Sequence, residues 1–97
     1  MSSLLDRVQS ELNAARKAQD KPLLLLLGTI LSDIKNREIE LKRAVTDDDA
    51  LEVVRRGIKR RRESIEMYTT GARLDLAEKE SAEVAMLERY LPPQVDP

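Results

Sequence analysis

Apolar residues recur every three or four positions along most of this chain, and this spacing constrains the fold more than any other feature. No segment alternates apolar and polar residues with the period of two that a half-buried strand requires. In the first segment the apolar residues fall within an arc of about 100° on a helix of 3.6 residues per turn; they are Leu4, Leu5, Val8, Leu12 and Ala15. The sequence therefore predicts an all-α fold.

Breaks in this pattern divide the chain into four predicted helices. The first break contains Pro22, which lacks an amide hydrogen and fits the first turn of a helix. Thr46 is a suitable N-cap for the third helix, Gly71 is its expected stop, and Asp75 is the expected cap of the fourth helix. The predicted helices cover about residues 3–19, 22–42, 46–70 and 75–90.

A chain of 97 residues forms one domain at most. We expect a four-helix, antiparallel, bundle-like domain over residues 1–91, with 92–97 as a tail or the beginning of a linker. The second helix has the broadest apolar stripe and should be the most buried, and Gly28 should allow a close helix approach. Its leucine run, 23–27, is far shorter than the ~20 apolar residues of a membrane-spanning helix. We therefore expect no membrane segment.

Residue types that are missing exclude several kinds of chemistry. The chain has no Cys and no His, so it lacks thiolate nucleophiles and the commonest general base and metal ligand. Tyr68 and Tyr90 are the only aromatic residues, which argues against a base-stacking platform. Three consecutive acids, 47–49, would splay around a helix start, so we interpret them as capping residues and predict no metal site and no cofactor.

Four segments carry a resemblance to a known family. Residues 34–40 read IKNREIE, 59–65 read KRRRESI, 73–76 read RLDL, and 90–92 read YLP. In order and spacing they resemble the YqeY family, also called the GatB/YqeY domain. The family commonly has Arg at the position of Gly28 and Gly at the position of Ala72. Its members also continue into a second small helical subdomain beyond the segment matched here.

The resemblance implies a function in tRNA biology. It relates the chain to the tail of the B subunit of glutamine-dependent tRNA amidotransferase, a carbon–nitrogen ligase with glutamine as amido-N-donor. In that enzyme the tail engages tRNA while other domains carry out the chemistry. The resemblance therefore implies an accessory module that binds tRNA or a partner protein and does not itself catalyse. Whether the chain is an enzyme stays open, although no self-sufficient active site is visible.

A cluster of cations on the third helix is the candidate binding face. Its members are Arg55, Arg56, Lys59, Arg60 and Arg62. Such a patch can contact the phosphates of a tRNA backbone. Acids lie four residues away from several of these cations, which also fits a solvated face with ion pairs of about 0.2–0.5 kcal/mol each. The pairs would be Glu52–Arg56, Lys59–Glu63 and Arg62–Glu66.

Charged residues inside the apolar stripes predict partly buried ion pairs. Arg61 lies on the apolar face of the third helix, and antiparallel pairing with the fourth helix brings it level with Glu83, with Glu80 as the second candidate. Glu38 interrupts the stripe of the second helix and should approach Arg55. A site that binds a substrate carboxylate or handles ammonia is the functional alternative, but a structural role that fixes helix register is favoured.

Two functions from different classes follow from the sequence. The first is the tRNA-binding accessory module described above. The second is an all-α interaction or structural module whose partner is another protein or a second copy of this chain, with no nucleic-acid ligand. The near-neutral net charge of −1 argues against a dedicated nucleic-acid binder, which usually carries a basic excess over the whole domain, but it is compatible with a local basic patch. Because no targeting signal is visible, we expect a cytoplasmic location.

Overall fold

Four α-helices form the secondary structure of residues 3–92, the part of the chain that the structure, a computed structural model, describes. They are α1 Leu4–Lys17, α2 Lys21–Leu41, α3 Asp47–Thr70 and α4 Leu74–Glu88. No strand occurs within these residues. The predicted all-α class with four helices is confirmed. Apart from Pro92, the predicted tail lies outside the described residues.

The chain divides into two compact units, Met1–Val53 and Val54–Pro97. In the first unit α1 and α2 pack against each other. Full burial of a Leu, Ile or Val side chain is worth about 1.5–3 kcal/mol, so the apolar stripes of these helices dominate the stability of this unit. The buried residues are Leu4, Val8, Leu12 and Ala15 of α1, Leu26, Leu27, Ile30, Leu31 and Ile34 of α2, and Ala50 and Val53 of α3.

The second unit contains the remainder of α3 and all of α4. Its buried apolar side chains include Tyr90, which follows the end of α4 and is only 5% exposed. The others are Val54, Ile58, Ala77, Val84 and Leu87. Within residues 3–92, the helices lack the combination of length and apolarity needed to cross a membrane.

Side-chain caps explain where the first three helices begin. Ser3 Oγ accepts a hydrogen bond from the amide of Asp6 at 3.1 Å and caps α1. Asp20 Oδ1 accepts from the amide of Leu23 at 3.3 Å and caps α2. At the start of α3, Thr46 and Asp49 cap each other reciprocally: the Thr46 amide donates to Asp49 Oδ2 at 2.9 Å, and the Asp49 amide donates to Thr46 Oγ1 at 3.2 Å.

The aspartates at the start of α3 act as hydrogen-bond acceptors, which supports their interpretation as capping residues. Asp47 Oδ1 accepts from the amide of Leu4 at 2.9 Å, so the N-terminus of α1 is capped from α3. Asp49 also accepts from the guanidinium of Arg43 at 2.6 Å. The hydrogen bond from Arg43, followed by those from Thr46, holds the pKa of Asp49 well below its usual range.

Ala72, not Gly71, terminates α3, so the predicted stop residue is wrong. Ala72 has a φ of 58°, in the left-handed region where glycine is favoured. Its amide donates to Thr69 O at 3.2 Å, and the next amide, of Arg73, donates to Tyr68 O at 2.7 Å. These two bonds form a Schellman motif, which requires the left-handed conformation one residue later than the sequence suggests.

Two further predictions about helix geometry are wrong. A Cβ atom built on Gly28 would meet nothing within 4 Å, so this residue does not mark a close helix approach. Asp75 lies in the first turn of α4 instead of at its N-cap, a position that Arg73 occupies without a capping side-chain hydrogen bond. There Asp75 still complements the positive end of the helix dipole.

Candidate functional site

The five cations predicted to form one binding face lie in two rows along α3. At 100° per residue, Arg55, Lys59 and Arg62 share an arc of about 60°, whereas Arg56 and Arg60 lie in the adjacent row. All five side chains are exposed. The structure therefore brings together three of the predicted binding residues and separates the other two from them.

The first row forms one wall of a groove in the second unit. This groove has a volume of about 500 Å³. Ile58, which is 3% exposed, and the half-buried Leu91 supply its apolar surface. The charged lining residues are Arg55, Lys59, Arg62, Glu63 and Glu66. Cations beside an apolar surface can hold an anionic group while its less polar part rests on the hydrocarbon.

Charges of both signs line the groove. The lining contains three cations and two carboxylates, all of them on α3, so it has an excess of one positive charge. Arg62 Nη2 also donates to Glu88 Oε2 of α4 at 3.3 Å. The i,i+4 rule could not predict Glu88 as the partner of Arg62, because this rule applies only to residues of the same helix. The groove can attract a phosphate chain, and this attraction will be sensitive to salt.

Arg61 forms the ion pair that the sequence predicts. Its Nε donates to Glu83 Oε1 at 2.9 Å, and Glu80 Oε2 lies 4.0 Å from the same nitrogen. Its Nη1 donates to the carbonyl of Gly57 at 3.0 Å. The Arg61 side chain is 14% exposed, and those of Glu80 and Glu83 are 22% and 20% exposed. These contacts fit the structural role that the sequence predicts for Arg61.

Glu38 has a role that the sequence does not reveal. Its Oε2 accepts a hydrogen bond from the amide of Val45 at 3.1 Å. Glu38 therefore caps the turn between α2 and α3, and its ion pair with Arg55 stays a prediction. A capping contact of this kind depends on the path of the connecting turn, and helical periodicity does not specify that path.

Two residues of the groove region escaped the sequence analysis. Leu91 lies beyond the end of α4, and its place in the groove depends on the path of the chain after that helix. Glu88 is displaced by more than a turn from the position level with Arg62, so only the reach of the long arginine side chain connects them. As to metal chemistry, no group of three or more His, Cys, Asp or Glu side chains within residues 3–92 is arranged to hold an ion.

Comparison with known proteins identifies the family. Residues 5–97 match the model of the family described as Yqey-like protein. An uncharacterized protein of Schizosaccharomyces pombe is 34% identical over 85 residues, which are 88% of this chain and 69% of that protein. Proteins named altered inheritance of mitochondria protein 41, mitochondrial, are 32% identical in Pyrenophora tritici-repentis and 34% in Kluyveromyces lactis. The chain spans 48% and 45% of the length of these two relatives.

These relatives overturn one prediction and confirm another. The expected cytoplasmic location is wrong, because several relatives carry the word mitochondrial in their names. That expectation relied only on the lack of a visible targeting signal. The resemblance based on the four sequence segments is confirmed, since the family match covers nearly the whole chain. The chain belongs to the YqeY-like protein family.

Proposed function

We propose that the protein is an accessory module that binds the phosphate backbone of an RNA, tRNA in the first instance, and does not catalyse. The observation that carries this proposal is the row of Arg55, Lys59 and Arg62 along one wall of the groove. Three cations at successive turns of one helix can follow a phosphate chain, and counterion release supplies the affinity. The choice of tRNA, and the link to glutamine-dependent amide transfer, rest on the family resemblance.

Binding of unfractionated tRNA, followed by fluorescence anisotropy at increasing salt, tests this proposal. We expect measurable affinity at low salt that falls on a log–log plot, with a slope of about −0.7 to −0.9 for each phosphate contacted. The double variant Arg55→Gln, Lys59→Gln should bind about tenfold more weakly and with a shallower slope. No retention of tRNA at low salt would contradict the proposal.

A matched control removes the same charge elsewhere. Lys35 and Lys79 are exposed and lie outside the lining of the groove. The double variant Lys35→Gln, Lys79→Gln should therefore keep its slope, with only a small uniform loss of affinity from the changed net charge. An equal loss in both double variants would show that the net charge, not the groove, determines binding.

The second candidate function, a protein-interaction module, is favoured by exposed apolar residues on α2. Leu25 and Ile39 are both 73% exposed and lie 14 residues apart, about 21 Å along one face of the helix. A pull-down from extract with and without RNase distinguishes the two functions. A protein partner that survives RNase and is lost in the variant Leu25→Asp, Ile39→Asp supports this function, as does concentration-dependent self-association lost in the same variant.

We also infer that the protein acts in mitochondria, because the names of its relatives in Pyrenophora tritici-repentis and Kluyveromyces lactis contain the word mitochondrial. Fractionation of cells that express the protein with a C-terminal tag tests this inference. Recovery with a mitochondrial matrix marker is the expected result. Recovery only with cytosolic markers would contradict it.

A further inference from the structure

Arg55, Lys59 and Arg62 form the first row of cations on α3, here called the binding row. Among the ion pairs of residues 3–92 described above, Arg62 is the member of this row that pairs with a carboxylate, that of Glu88. We propose that Glu88 is an intramolecular competitor that occupies Arg62 until RNA displaces it. This inference rests on the proposed function and concerns the regulation of the same groove. Helix α4 supplies none of the binding cations, but through Glu88 it would control how many cations the RNA can contact.

The geometry of the pair is that of a contact that can open. Arg62 Nη2 and Glu88 Oε2 are 3.3 Å apart, and the two side chains are 61% and 48% exposed. Water therefore reaches both partners and can replace either one, which makes exposed ion pairs weak. By contrast, the neighbouring Arg61 is 14% exposed and held by several acceptors. Of these two arginines of α3 that reach α4, only Arg62 can exchange partners.

The charge balance shows why this competition matters. The groove lining has an excess of one positive charge, and Glu88, held at its edge by Arg62, cancels that excess. We call the groove closed when Arg62 is bound to Glu88 and open when it is not. In the closed groove, Arg55 and Lys59 are the two cations left to attract phosphate. Engaging Arg62 as well requires the Glu88 carboxylate to move away into solvent. The closed groove should therefore show the salt dependence of two phosphate contacts, and the open groove that of three.

Glu63 and Glu66 also line the groove and repel phosphate, but their role differs. Both lie on α3 itself, so their distance from the binding row is fixed by the helix. Glu88 lies on the other helix and reaches the row through its side chain. Neutralising Glu88 should therefore release a cation, whereas neutralising Glu63 or Glu66 should only reduce the local negative potential.

The test is the variant Glu88→Gln, assayed with a fluorescein-labelled oligouridylate in a salt titration. We expect binding about threefold tighter at low salt, the size of effect that an exposed ion pair allows. We expect the log–log slope to be steeper by about 0.7, one additional phosphate on a single strand. In the background Arg62→Gln, the same Glu88→Gln change should give no gain, since the cation that it releases is gone.

Glu78→Gln is the matched control, because it removes the same charge from an exposed position ten residues earlier on α4. At about 15 Å along the helix it lies beyond the screening length of physiological salt, so the two variants are compared at that salt concentration, where the effect of Glu78→Gln on affinity should be small. An equal gain in Glu78→Gln and Glu88→Gln, or a gain that persists without Arg62, would overturn the competitor role. Circular dichroism of each variant shows that the helices are intact.

Failure of this inference differs from failure of the proposed function. If the wild-type protein binds RNA and Glu88→Gln leaves affinity and slope unchanged, only the competitor role is overturned, and the pair merely ties α4 to α3. If neither protein binds RNA at low salt, both proposals are overturned. A steeper log–log slope for Glu88→Gln together with a lower thermal midpoint would support competition. The Arg62–Glu88 pair would then contribute to stability and also limit RNA binding.

Discussion

Arg61 Nε lies 2.9 Å from Glu83 Oε1, so that one guanidinium joins the middle of α3 to the middle of α4. The same guanidinium donates to the carbonyl of Gly57, four residues earlier on its own helix. These hydrogen bonds satisfy two edges of the planar group and fix its orientation. We expect this contact to fix the register of the α3–α4 hairpin, on which the position of the groove residues depends.

Removing Arg61 should destabilise the protein more than removing any cation of the groove. Arg61→Leu leaves Glu80 and Glu83 facing each other without a counterion, and we expect a loss of about 2 kcal/mol in the free energy of unfolding. Urea denaturation monitored by circular dichroism measures this loss. Arg55→Gln is the control, since an exposed substitution should change stability by less than about 0.5 kcal/mol. Equal stability of the two variants would contradict a structural role for Arg61.

The end of α3 provides a second prediction. Because Ala72 adopts a left-handed conformation, Ala72→Gly should relieve a cost of about 1 kcal/mol and stabilise the protein by about 0.5 kcal/mol after the greater chain entropy is subtracted. A Cβ on Gly71 would lie 3.4 Å from the carbonyl of Met67, an ordinary contact distance. Gly71→Ala should therefore be tolerated. If Gly71→Ala destabilises and Ala72→Gly does not, Gly71 is the helix stop after all.

Gly28 offers a third prediction on stability. Since a Cβ at this position meets no atom within 4 Å, Gly28→Ala should gain the difference in helix propensity, about 1 kcal/mol, without a steric cost. The thermal midpoint should rise by several degrees. A lower midpoint would contradict the open space that the structure shows beside Gly28.

Helix positions and the buried pair were accessible from the sequence because they follow from periodicity. The apolar stripe of the first helix placed Leu4, Val8 and Leu12 in the interior, and counting around the turn placed Glu83 opposite Arg61. Features that depend on backbone conformation at helix ends were not accessible. Whether Gly71 or Ala72 adopts positive φ depends on where the last hydrogen bond of α3 forms, and residue type alone does not determine that.

In the groove, too, some features follow from helical periodicity and others do not. Helical spacing places Arg55, Lys59 and Arg62 in one row, and a helical wheel drawn from the sequence would have separated Arg56 and Arg60 from them. The contributions of Leu91 and Glu88 depend on how the chain continues at the end of α4 and on the reach of one long side chain. Neither is encoded in the periodicity of a single helix.

The pKa of Asp49 gives a prediction about acid stability. Hydrogen bonds from Arg43 and Thr46 lower this pKa in the folded protein, so the folded state binds the proton less readily than the unfolded state. The resulting stability is complete above the ordinary aspartate pKa of about 3.9 and is lost as the pH falls towards the lowered value.

Asp49→Asn should remove the contribution of Asp49 to the pH dependence of the free energy of unfolding. We expect the variant to be less stable than the wild type at neutral pH, with the difference shrinking as the pH is lowered below about 4. Urea denaturation at a series of pH values measures it. Asp48→Asn, which removes the same charge from an exposed position in the same turn, is the control and should retain the wild-type pH profile. A constant difference between wild type and Asp49→Asn at all pH values would contradict this account.

The two rows of cations on α3 give the last prediction, which tests where RNA lies. If RNA follows the groove, Arg55→Gln with Lys59→Gln should reduce affinity about tenfold, whereas Arg56→Gln with Arg60→Gln should reduce it by only about twofold through long-range attraction. Both double variants remove the same charge from the same stretch of helix, so the change in net charge cancels in the comparison. Equal losses would mean that RNA contacts both rows and that the groove does not define the binding site.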